Sequence, residues 1–170
     1  MKEEFIFYFG MESPFSHWYK CNFVVDSRIF CCVEQYLMYK KAVLFSDSVI
    51  AGKILRSTDP KRHHHLGKQV HGFNKLLWQK HCKKYAFDGN YAKFTQQARL
   101  LKLLQDTSGK SLAEASPYDR NWGVGLSMMN PKIYERKNWR GKNWAGEALE
   151  SVRKNIIKQS KSQRIYSLTI

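Results

Sequence analysis

The segment from residue 109 to 126, which reads GKSLAEASPYDRNWGVGL, places the strongest limits on the fold of this chain. It follows a stretch with helical periodicity, and Pro117 excludes a simple continuation of that helix. Gly123 allows unusual backbone dihedral angles or a close approach of another segment. The same few residues include the acid Asp119 and the large ring of Trp122. A turn that combines these groups is typical of a small-molecule site.

The length and composition predict one globular domain. The chain has 170 residues, of which 43% are hydrophobic and 14% aromatic, enough for a substantial core. We expect this domain to cover residues 1–159 and to be followed by a flexible basic tail at 160–170. No apolar run approaches the roughly 18 residues that a membrane span needs, and the N-terminus does not resemble a secretory signal. We therefore expect an intracellular monomer, cytoplasmic or nuclear, with no membrane partner.

The cysteines and histidines suggest no metal site and no disulfide framework. The spacing of the four cysteines contains no Cys-x-x-Cys pair and favours reduced, mostly buried thiols; they are Cys21, Cys31, Cys32 and Cys82. The run His63–His65 is a weak metal candidate, because adjacent side chains on a helix point to different faces. The sequence thus predicts no metal and no cofactor.

A net charge of +15 points to an anionic partner. Between Ala51 and Tyr85 the chain carries nine Lys or Arg residues and one acid, Asp59. A second basic stretch extends from Arg153 to Arg164. Each run alone is compatible with a solvated surface, whereas two together favour a nucleotide, a phosphate or a nucleic acid as the partner.

The pattern of the chain predicts short strands first and helices afterwards. Aromatic and β-branched runs indicate a small antiparallel sheet near the N-terminus, formed by residues 4–9, 22–25 and 28–32. Apolar periodicity and capping residues indicate helices at 33–45, through Ile50, Ile54 and Leu55 after Ser46-Asp47, from Asp59-Pro60 onward, and at 73–85, 90–105 and 144–158. The predicted class is mainly α with a small antiparallel sheet (α+β).

The first long helix carries a candidate pair of reactive groups. Glu34 and Lys41 are two turns apart and project from nearly the same face, so a carboxylate and an amine can address one pocket. The alternative is an amphipathic helix with two solvated ends, in which Glu34 only favours the helix dipole. Further along, Lys93 and Gln96 share a face that suits either a polar ligand or a hydrated surface.

Two turns in the second half of the chain offer binding groups. Beside Trp122, the carboxylate of Asp119 can work on a ring-shaped substrate, with its pKa raised by desolvation. Alternatively, Asp119 caps backbone amides and Trp122 belongs to the core. The turn at 138–146 leads into the last helix, whose N-terminal amides could receive a phosphate.

Several motifs together resemble one known family in order and spacing. They are EQYLMYKKA (34–42), LGK (66–68), Trp78, AKFTQ (92–96), EASPYDRNWGVG (114–125), WRGKNWAG (139–146) and Val152-Arg153. From about Phe7 to Lys158 the chain is similar to the NADAR, or YbiA-like, family. The resemblance implies a mainly helical N-glycosidase that cleaves the bond between a phosphate- or ADP-bearing ribose and an amino-substituted base.

The resemblance also implies substrates and site residues. The expected substrate is ADP-ribosylated guanine in DNA or RNA; the alternatives are a phosphorylated ribosylamino-pyrimidine of riboflavin biosynthesis, and a non-catalytic ADP-ribose reader. The implied catalytic residues are Glu34, Lys41 and Asp119. The implied substrate-binding residues are Trp78, Lys93, Gln96, Trp122, Gly123 and Asn143. Direct hydrolysis and an imine on Lys41 both stay open.

The chain departs from the family pattern at two positions. The family usually has His after the helix-opening Glu, whereas this chain has Gln35, which cannot act as an acid or a base near neutral pH. Any mechanism that needs this His is therefore in doubt. His17 occupies the element after the first strand, where it either lines the mouth of a pocket or has a surface or packing role.

Overall fold

The computed structural model describes the backbone of residues 3–167 and the side chains of residues 3–162. The elements in chain order are β1 (Phe5–Tyr8), β2 (Phe23–Val25), β3 (Arg28–Phe30), α1 (Val33–Leu44), α2 (Ser48–Leu55), α3 (Pro60–Lys68), α4 (Lys75–Thr95), α5 (Ala98–Gln105), β4 (Ser111–Glu114), two 3₁₀ turns (Pro131–Tyr134 and Arg136–Asn138) and α6 (Trp144–Ser167). The prediction of a mainly α fold with a small sheet is confirmed. Among the described residues, no helix is long and apolar enough to cross a membrane.

The chain forms two compact units, which are described separately. The first comprises the residues up to Phe9 together with those from Ala98 onward, and the second is Gly10–Gln97. The extent of the predicted domain, residues 1–159, stays a prediction.

Side-chain caps define three helix starts in the second unit, and those of α2 and α3 are the caps that the sequence predicts. Cys32 caps α1 by accepting a hydrogen bond from the backbone N–H of Gln35. Asp47 caps α2, and Asp59 caps α3 with Pro60 in the first turn. Each side chain satisfies a backbone donor that the helix itself leaves unpaired. The local sequence therefore determines where these three helices begin.

The antiparallel prediction is confirmed for β2 and β3, whose register places Phe23 opposite Phe30. Asp26 and Ser27 form the connecting turn, and both have a positive φ. Strand β1 differs from the prediction, because it pairs in parallel with β4 in the first unit. The sequence analysis missed β4, a strand of four residues without hydrophobic alternation.

Helix α4 corrects the predicted break between residues 85 and 90. The helix is continuous through Gly89, where a Cβ atom would lie 2.7 Å from Cδ1 of Tyr36 and 3.3 Å from Cγ1 of Val33. The glycine therefore allows α4 to pack closely against α1. The break falls at Gln96 and Gln97, and the predicted helix 90–105 is divided between α4 and α5.

We expect Gly89→Ala to lower the free energy of unfolding by about 1–3 kcal/mol, because the new methyl group would meet the rigid Tyr36 ring. Gly52→Ala is the matched control. It also lies inside a helix, but its Cβ would meet only the flexible end of Arg56, at 3.3 Å. This control should gain up to about 1 kcal/mol from helix propensity. Urea denaturation of both variants measures the difference, and equal effects would contradict the packing argument.

In the first unit, β4 and the following loop form a small core. Ala113, Val124 and Ile133 are buried there with Phe7 and Trp139 packed against them. Helix α6 lies close to β4, since a Cβ atom on Gly146 would come 2.0 Å from the carbonyl oxygen of Leu112.

Helix α6 extends beyond its predicted end at residue 158. It continues through Ser167, so most of the predicted tail at 160–170 is helical in backbone. Residues 168–170 lie outside the described residues, and the predicted flexibility of the tail stays a prediction.

Candidate active site

Glu34 and His64 form a polar pair between α1 and α3. Only 6% of Glu34 is exposed, and its Oε1 lies 3.0 Å from Nδ1 of His64. An ionised carboxylate can only accept, so the imidazole Nδ1–H donates to Oε1. The ring of Trp18 lies 5.9 Å from that of His64. The structure thus supplies a nearly buried carboxylate with an adjacent group able to carry a proton.

The sequence analysis missed His64 as a functional residue. It considered the run His63–His65 only as a metal candidate, and helical spacing gives no reason to pair α3 with Glu34. The signal lies in the tertiary contact between α1 and α3, which one sequence does not reveal. His64 also provides an ionisable group beside Glu34, the type of group that Gln35 lacks.

Lys41 lies on the same helix as Glu34, and its amine is close to two aromatic rings. Its Nζ donates to the carbonyl oxygen of Gly67 at 2.7 Å and lies 4.1 Å from the ring centroid of Phe73 and 5.8 Å from that of Trp78. Burial lowers the pKa of Lys41, and the negative charge of Glu34 partly opposes this shift. The structure therefore brings together the predicted residues Glu34, Lys41 and Trp78.

Close packing between α1 and α3 presents the Gly67 carbonyl to Lys41. A Cβ atom on Gly67 would lie 2.0 Å from Sδ of Met38, so any larger residue would displace that side chain. Met38 lies between Glu34 and Lys41 along α1, one turn from Glu34. The glycine therefore allows α3 to approach the face of α1 that carries the reactive pair.

Lys93 is fully buried, and its contacts hold a loop. Its Nζ donates to the carbonyl oxygens of Pro14 at 2.6 Å and Ser16 at 3.0 Å, and lies 5.2 Å from the ring of Tyr19. Burial lowers the pKa of Lys93 to about 7. These contacts attach α4 to the loop 14–19, and the predicted contact of Lys93 with substrate stays a prediction.

The buried ammonium of Lys93 predicts a pH-dependent stability. The pKa of this group is about 7 in the folded chain against 10.5 normally, so between these pH values the unfolded chain binds more protons. The free energy of unfolding should therefore rise with pH across this window, by up to about 1.4 kcal/mol per pH unit from this group. Urea denaturation gives the free energy of unfolding of the wild type and of Lys93→Met. The wild-type value minus the variant value should rise with pH across this window. A difference that stays constant with pH would contradict the lowered pKa of Lys93.

His17 has the packing role that the sequence analysis gave as one alternative. The ring is buried, and its Nε2 lies 3.0 Å from Nδ2 of Asn90. Burial lowers the pKa of His17 to about 3, with a smaller effect from the charge of Lys93. The ring is therefore neutral near pH 7 and helps to fix the loop before α1.

Two glutamine side chains of this unit bind backbone groups. Gln96 accepts a hydrogen bond from the N–H of Val24 and donates to its carbonyl oxygen, both at 2.8 Å. Gln35 accepts from the N–H of Cys31 and donates to the carbonyl oxygens of Ile54 and Ser57. Gln35 therefore stabilises the start of α1, and the predicted contact of Gln96 with substrate stays a prediction.

In the first unit, Asp119 organises a turn. Its Oδ1 accepts hydrogen bonds from the backbone N–H groups of Asn121 and Trp122, each at 2.8 Å. The half-buried ring of Trp122 meets that of Trp144 edge to face, with centroids 5.8 Å apart. The capping role that the sequence offered as an alternative for Asp119 is thus present, while its catalytic role and substrate binding by Trp122 stay predictions.

Gly123 and Asn143 have structural contacts in the same unit. A Cβ atom on Gly123 would lie 2.8 Å from Cβ of Ser116, so a side chain there would clash. Asn143 is buried with a φ of 56°. It donates to the carbonyl oxygen of Leu112 and accepts from the N–H of Glu114. Asn143 therefore attaches the start of α6 to β4, and the predicted substrate contacts of both residues stay predictions.

The N-terminus of α6 differs from the phosphate site that the sequence suggested. The backbone N–H of Trp144 donates to the carbonyl oxygen of Asn121, and that of Ala145 donates to the carbonyl oxygen of Trp122, both at 3.1 Å. These amides are occupied by the preceding loop and are therefore unavailable to a phosphate.

The basic residues between Ala51 and Tyr85, here called the basic segment, lie on the surface of the second unit. All nine are exposed: Lys53, Arg56, Lys61, Arg62, Lys68, Lys75, Lys80, Lys83 and Lys84. Lys84 forms an ion pair with Asp88. In the second basic stretch, Arg153 instead donates to the carbonyl and hydroxyl oxygens of Thr107. The side chain of Arg164 lies outside the described residues.

Comparisons with known proteins identify the family of this chain. A family model described as the NADAR domain matches residues 6–157. Protein irg-1 of Caenorhabditis elegans is 33% identical over 168 residues, covering 89% of this chain and 79% of the relative. N-glycosidase R617 of Acanthamoeba polyphaga mimivirus is 32% identical over 162 residues, covering 89% of this chain and 95% of the relative. The NMR structure of Escherichia coli YbiA has the same fold, with a TM-score of 0.77 at 23% identity, covering 94% of this chain and 89% of YbiA. The chain therefore belongs to the NADAR family.

Proposed function

We propose that this protein is an N-glycosidase that removes ADP-ribose from guanine in nucleic acid. Membership of the NADAR family and the relative named N-glycosidase R617 support hydrolysis of an N-glycosyl bond. The observation that carries the proposal is the grouping of the nearly buried Glu34, its partner His64 and the amine of Lys41, whose pKa is lowered by burial. The intracellular location, cytoplasmic or nuclear, and the monomeric state are parts of the same proposal.

The bond to be broken explains the need for these groups. As the base leaves, the electron pair of the glycosidic bond goes to its nitrogen, and positive charge develops on C1 and O4 of the ribose. The carboxylate of Glu34 stabilises that charge in a site with little water. The protonated form of His64 donates a proton to the departing nitrogen and becomes neutral. Water then attacks C1 and gives up a proton, which restores the starting ionisation state of the site.

Lys41 offers a second route to the same products. Its neutral amine attacks C1, and the base leaves with the electron pair of the glycosidic bond and one of the amine protons. The C1–O4 bond then breaks, O4 takes the second amine proton, and C1 forms an imine with Nζ. Water hydrolyses this imine and releases the ribose aldehyde. The route needs a partly neutral amine, and the burial that lowers the pKa of Lys41 favours that form.

The basic segment supports a nucleic acid as the carrier of the modified base. Its exposed cations would contact phosphates of the nucleic acid and release counterions, so binding should weaken steeply as salt rises from about 50 to 200 mM. A ribosylamino-pyrimidine phosphate would make no such contacts, and its hydrolysis should depend little on salt. Salt dependence therefore separates the two substrate classes.

The decisive experiment measures base release from two substrates. The protein is incubated with an oligonucleotide carrying ADP-ribosylated guanine and, separately, with a ribosylamino-pyrimidine phosphate. We expect release of ADP-ribose from the oligonucleotide, suppressed by salt and weakened in the double variant Lys61→Gln/Arg62→Gln. Release of base from the pyrimidine substrate alone would show that the substrate is a ribosylamino-pyrimidine phosphate and not a nucleic acid. Binding without release from either substrate would indicate a reader and overturn the enzyme proposal.

A further inference from the structure

Two thiols and an imidazole meet beside the N-terminus of α1. Each of Cys31, Cys32 and His63 offers one ligand atom, and the three atoms lie within 4.8 Å of one another. Cys32 and His63 are fully buried, whereas Cys31 is half-buried. The two thiols directly precede α1, which carries Glu34, and His63 lies on α3 beside His64.

The hydrogen bonds around His63 direct its other nitrogen at Cys32. Nε2 lies 2.9 Å from the carbonyl oxygen of Ser57. A carbonyl can only accept, so Nε2 carries the proton and the lone pair of the neutral ring is on Nδ1. Nδ1 lies 3.7 Å from Sγ of Cys32. A histidine that donates one N–H to a backbone carbonyl and offers the other nitrogen is the usual arrangement of a metal-bound imidazole.

The distances fit a tetrahedral zinc-type site. With a Zn–S bond of about 2.3 Å and a Zn–N bond of about 2.05 Å, the sulfur and nitrogen of two ligands are about 3.6 Å apart. The distance between Cys32 and His63 is 3.7 Å. The ligand set of two thiolates and one neutral imidazole balances the charge of a divalent ion, and thiolates select soft or borderline cations such as zinc.

We propose that Cys31, Cys32 and His63 form a binding site for a thiophilic divalent cation of the zinc class. Binding releases the two thiol protons and water from the hydrated ion. The fourth ligand is a water molecule on the half-exposed side of Cys31. The sequence analysis predicted no metal, because it considered the cysteines and the histidine run separately, and α1 and α3 bring them together only in the fold.

The ion would stabilise the geometry of the candidate active site. Cys32 caps α1 two residues before Glu34, and His63 is adjacent to His64 on α3. A bridge between Cys32 and His63 would therefore fix the spacing of the two helices that supply the Glu34 and His64 pair. Binding to the native chain alone would also stabilise the fold by mass action.

The test is binding of Zn²⁺ and Co²⁺ to the reduced, metal-stripped protein. Competition with a chromophoric chelator should give one Zn²⁺ per chain, with release of two protons and a rise in melting temperature. Co²⁺ should produce visible bands of tetrahedral type together with thiolate-to-cobalt charge-transfer absorption. These wild-type measurements decide the proposal without any variant. Absence of stoichiometric binding, or a cobalt spectrum without charge transfer, would show that Cys32 and His63 share only an S–H···N hydrogen bond.

Cys31→Ser is the informative variant, because Cys31 is half-buried and its replacement leaves the core intact. It should weaken zinc affinity by at least about 10- to 100-fold. Replacing a residue that only hydrogen-bonds to a metal ligand already costs this much affinity, and Cys31 is a direct ligand in the proposed site. Cys21→Ser is the matched control, since Cys21 is also half-buried but lies outside the cluster. Unchanged affinity in Cys31→Ser, or an equal loss in Cys21→Ser, would contradict the assigned ligand set.

Discussion

Replacing Glu34 by Gln is expected to lower the rate of base release by about 10²- to 10⁴-fold. Gln keeps the size of the side chain and an oxygen that can accept the hydrogen bond from Nδ1 of His64. It removes the negative charge that stabilises the developing charge on the ribose. The substitution therefore tests the chemistry with little change in the packing of α1.

Kinetics distinguish this loss from a loss of binding. A group that acts mainly in the transition state should lower kcat and kcat/KM together when it is removed. Single-turnover release of base from the preferred substrate gives the chemical step directly, and titration of Glu34→Gln with substrate gives its affinity. We expect the affinity to change by much less than the rate.

Asp59→Asn is a matched control for Glu34→Gln. Asp59 is an exposed carboxylate that caps α3, and Asn is an equally good N-cap. The control should retain wild-type activity and stability. Equal activity of Glu34→Gln and the wild type would remove Glu34 from the mechanism. A large fall in the unfolding free energy of the Glu34→Gln variant would instead assign Glu34 a structural role.

The fold was predictable where local sequence determines it. The predicted caps Asp47 and Asp59 define helix starts by satisfying backbone donors within the next few residues. The cap Cys32 of α1 was not predicted. Strand β4 was not predictable in this way, because its pairing with β1 joins residues about a hundred positions apart. The predicted break between residues 85 and 90 was wrong for a related reason: the packing of Gly89 against Tyr36 of α1 is a tertiary contact, which the local sequence does not show.

The candidate site was only partly predictable. Helical spacing correctly placed Glu34 and Lys41 on one face, because that relation is local. His64 became visible only through the packing of α3 on α1. Asn143 and Gln96 show the opposite difficulty, since an amide side chain that could bind a ligand can equally bind backbone groups. The hydrogen-bond partners in the structure distinguish these two uses of an amide side chain, whereas the residue type alone does not.

Reductive trapping with borohydride is expected to attach a reduced ribosyl group to Lys41 during turnover. Nζ of this residue is near Glu34 and the rings of Phe73 and Trp78, and burial lowers its pKa. Hydride adds to the carbon of the imine and makes the bond to Nζ permanent. Mass spectrometry of digested protein should locate the added mass on the peptide that contains Lys41, dependent on both substrate and borohydride.

Lys41→Met should abolish the adduct and lower turnover by about 10²-fold or more, because Met keeps the apolar contacts but has no nucleophile. The matched control is Lys40→Met, on the same helix, where Nζ lies 5.2 Å from the ring of Tyr85. The control should retain both turnover and the adduct. Lys41→Met also loses the hydrogen bond to the carbonyl oxygen of Gly67, worth about 1 kcal/mol. Urea denaturation measures this loss of stability separately from the loss of turnover. If Lys41→Met turns over at the wild-type rate, water attacks the ribose directly and Glu34 carries the reaction without an imine.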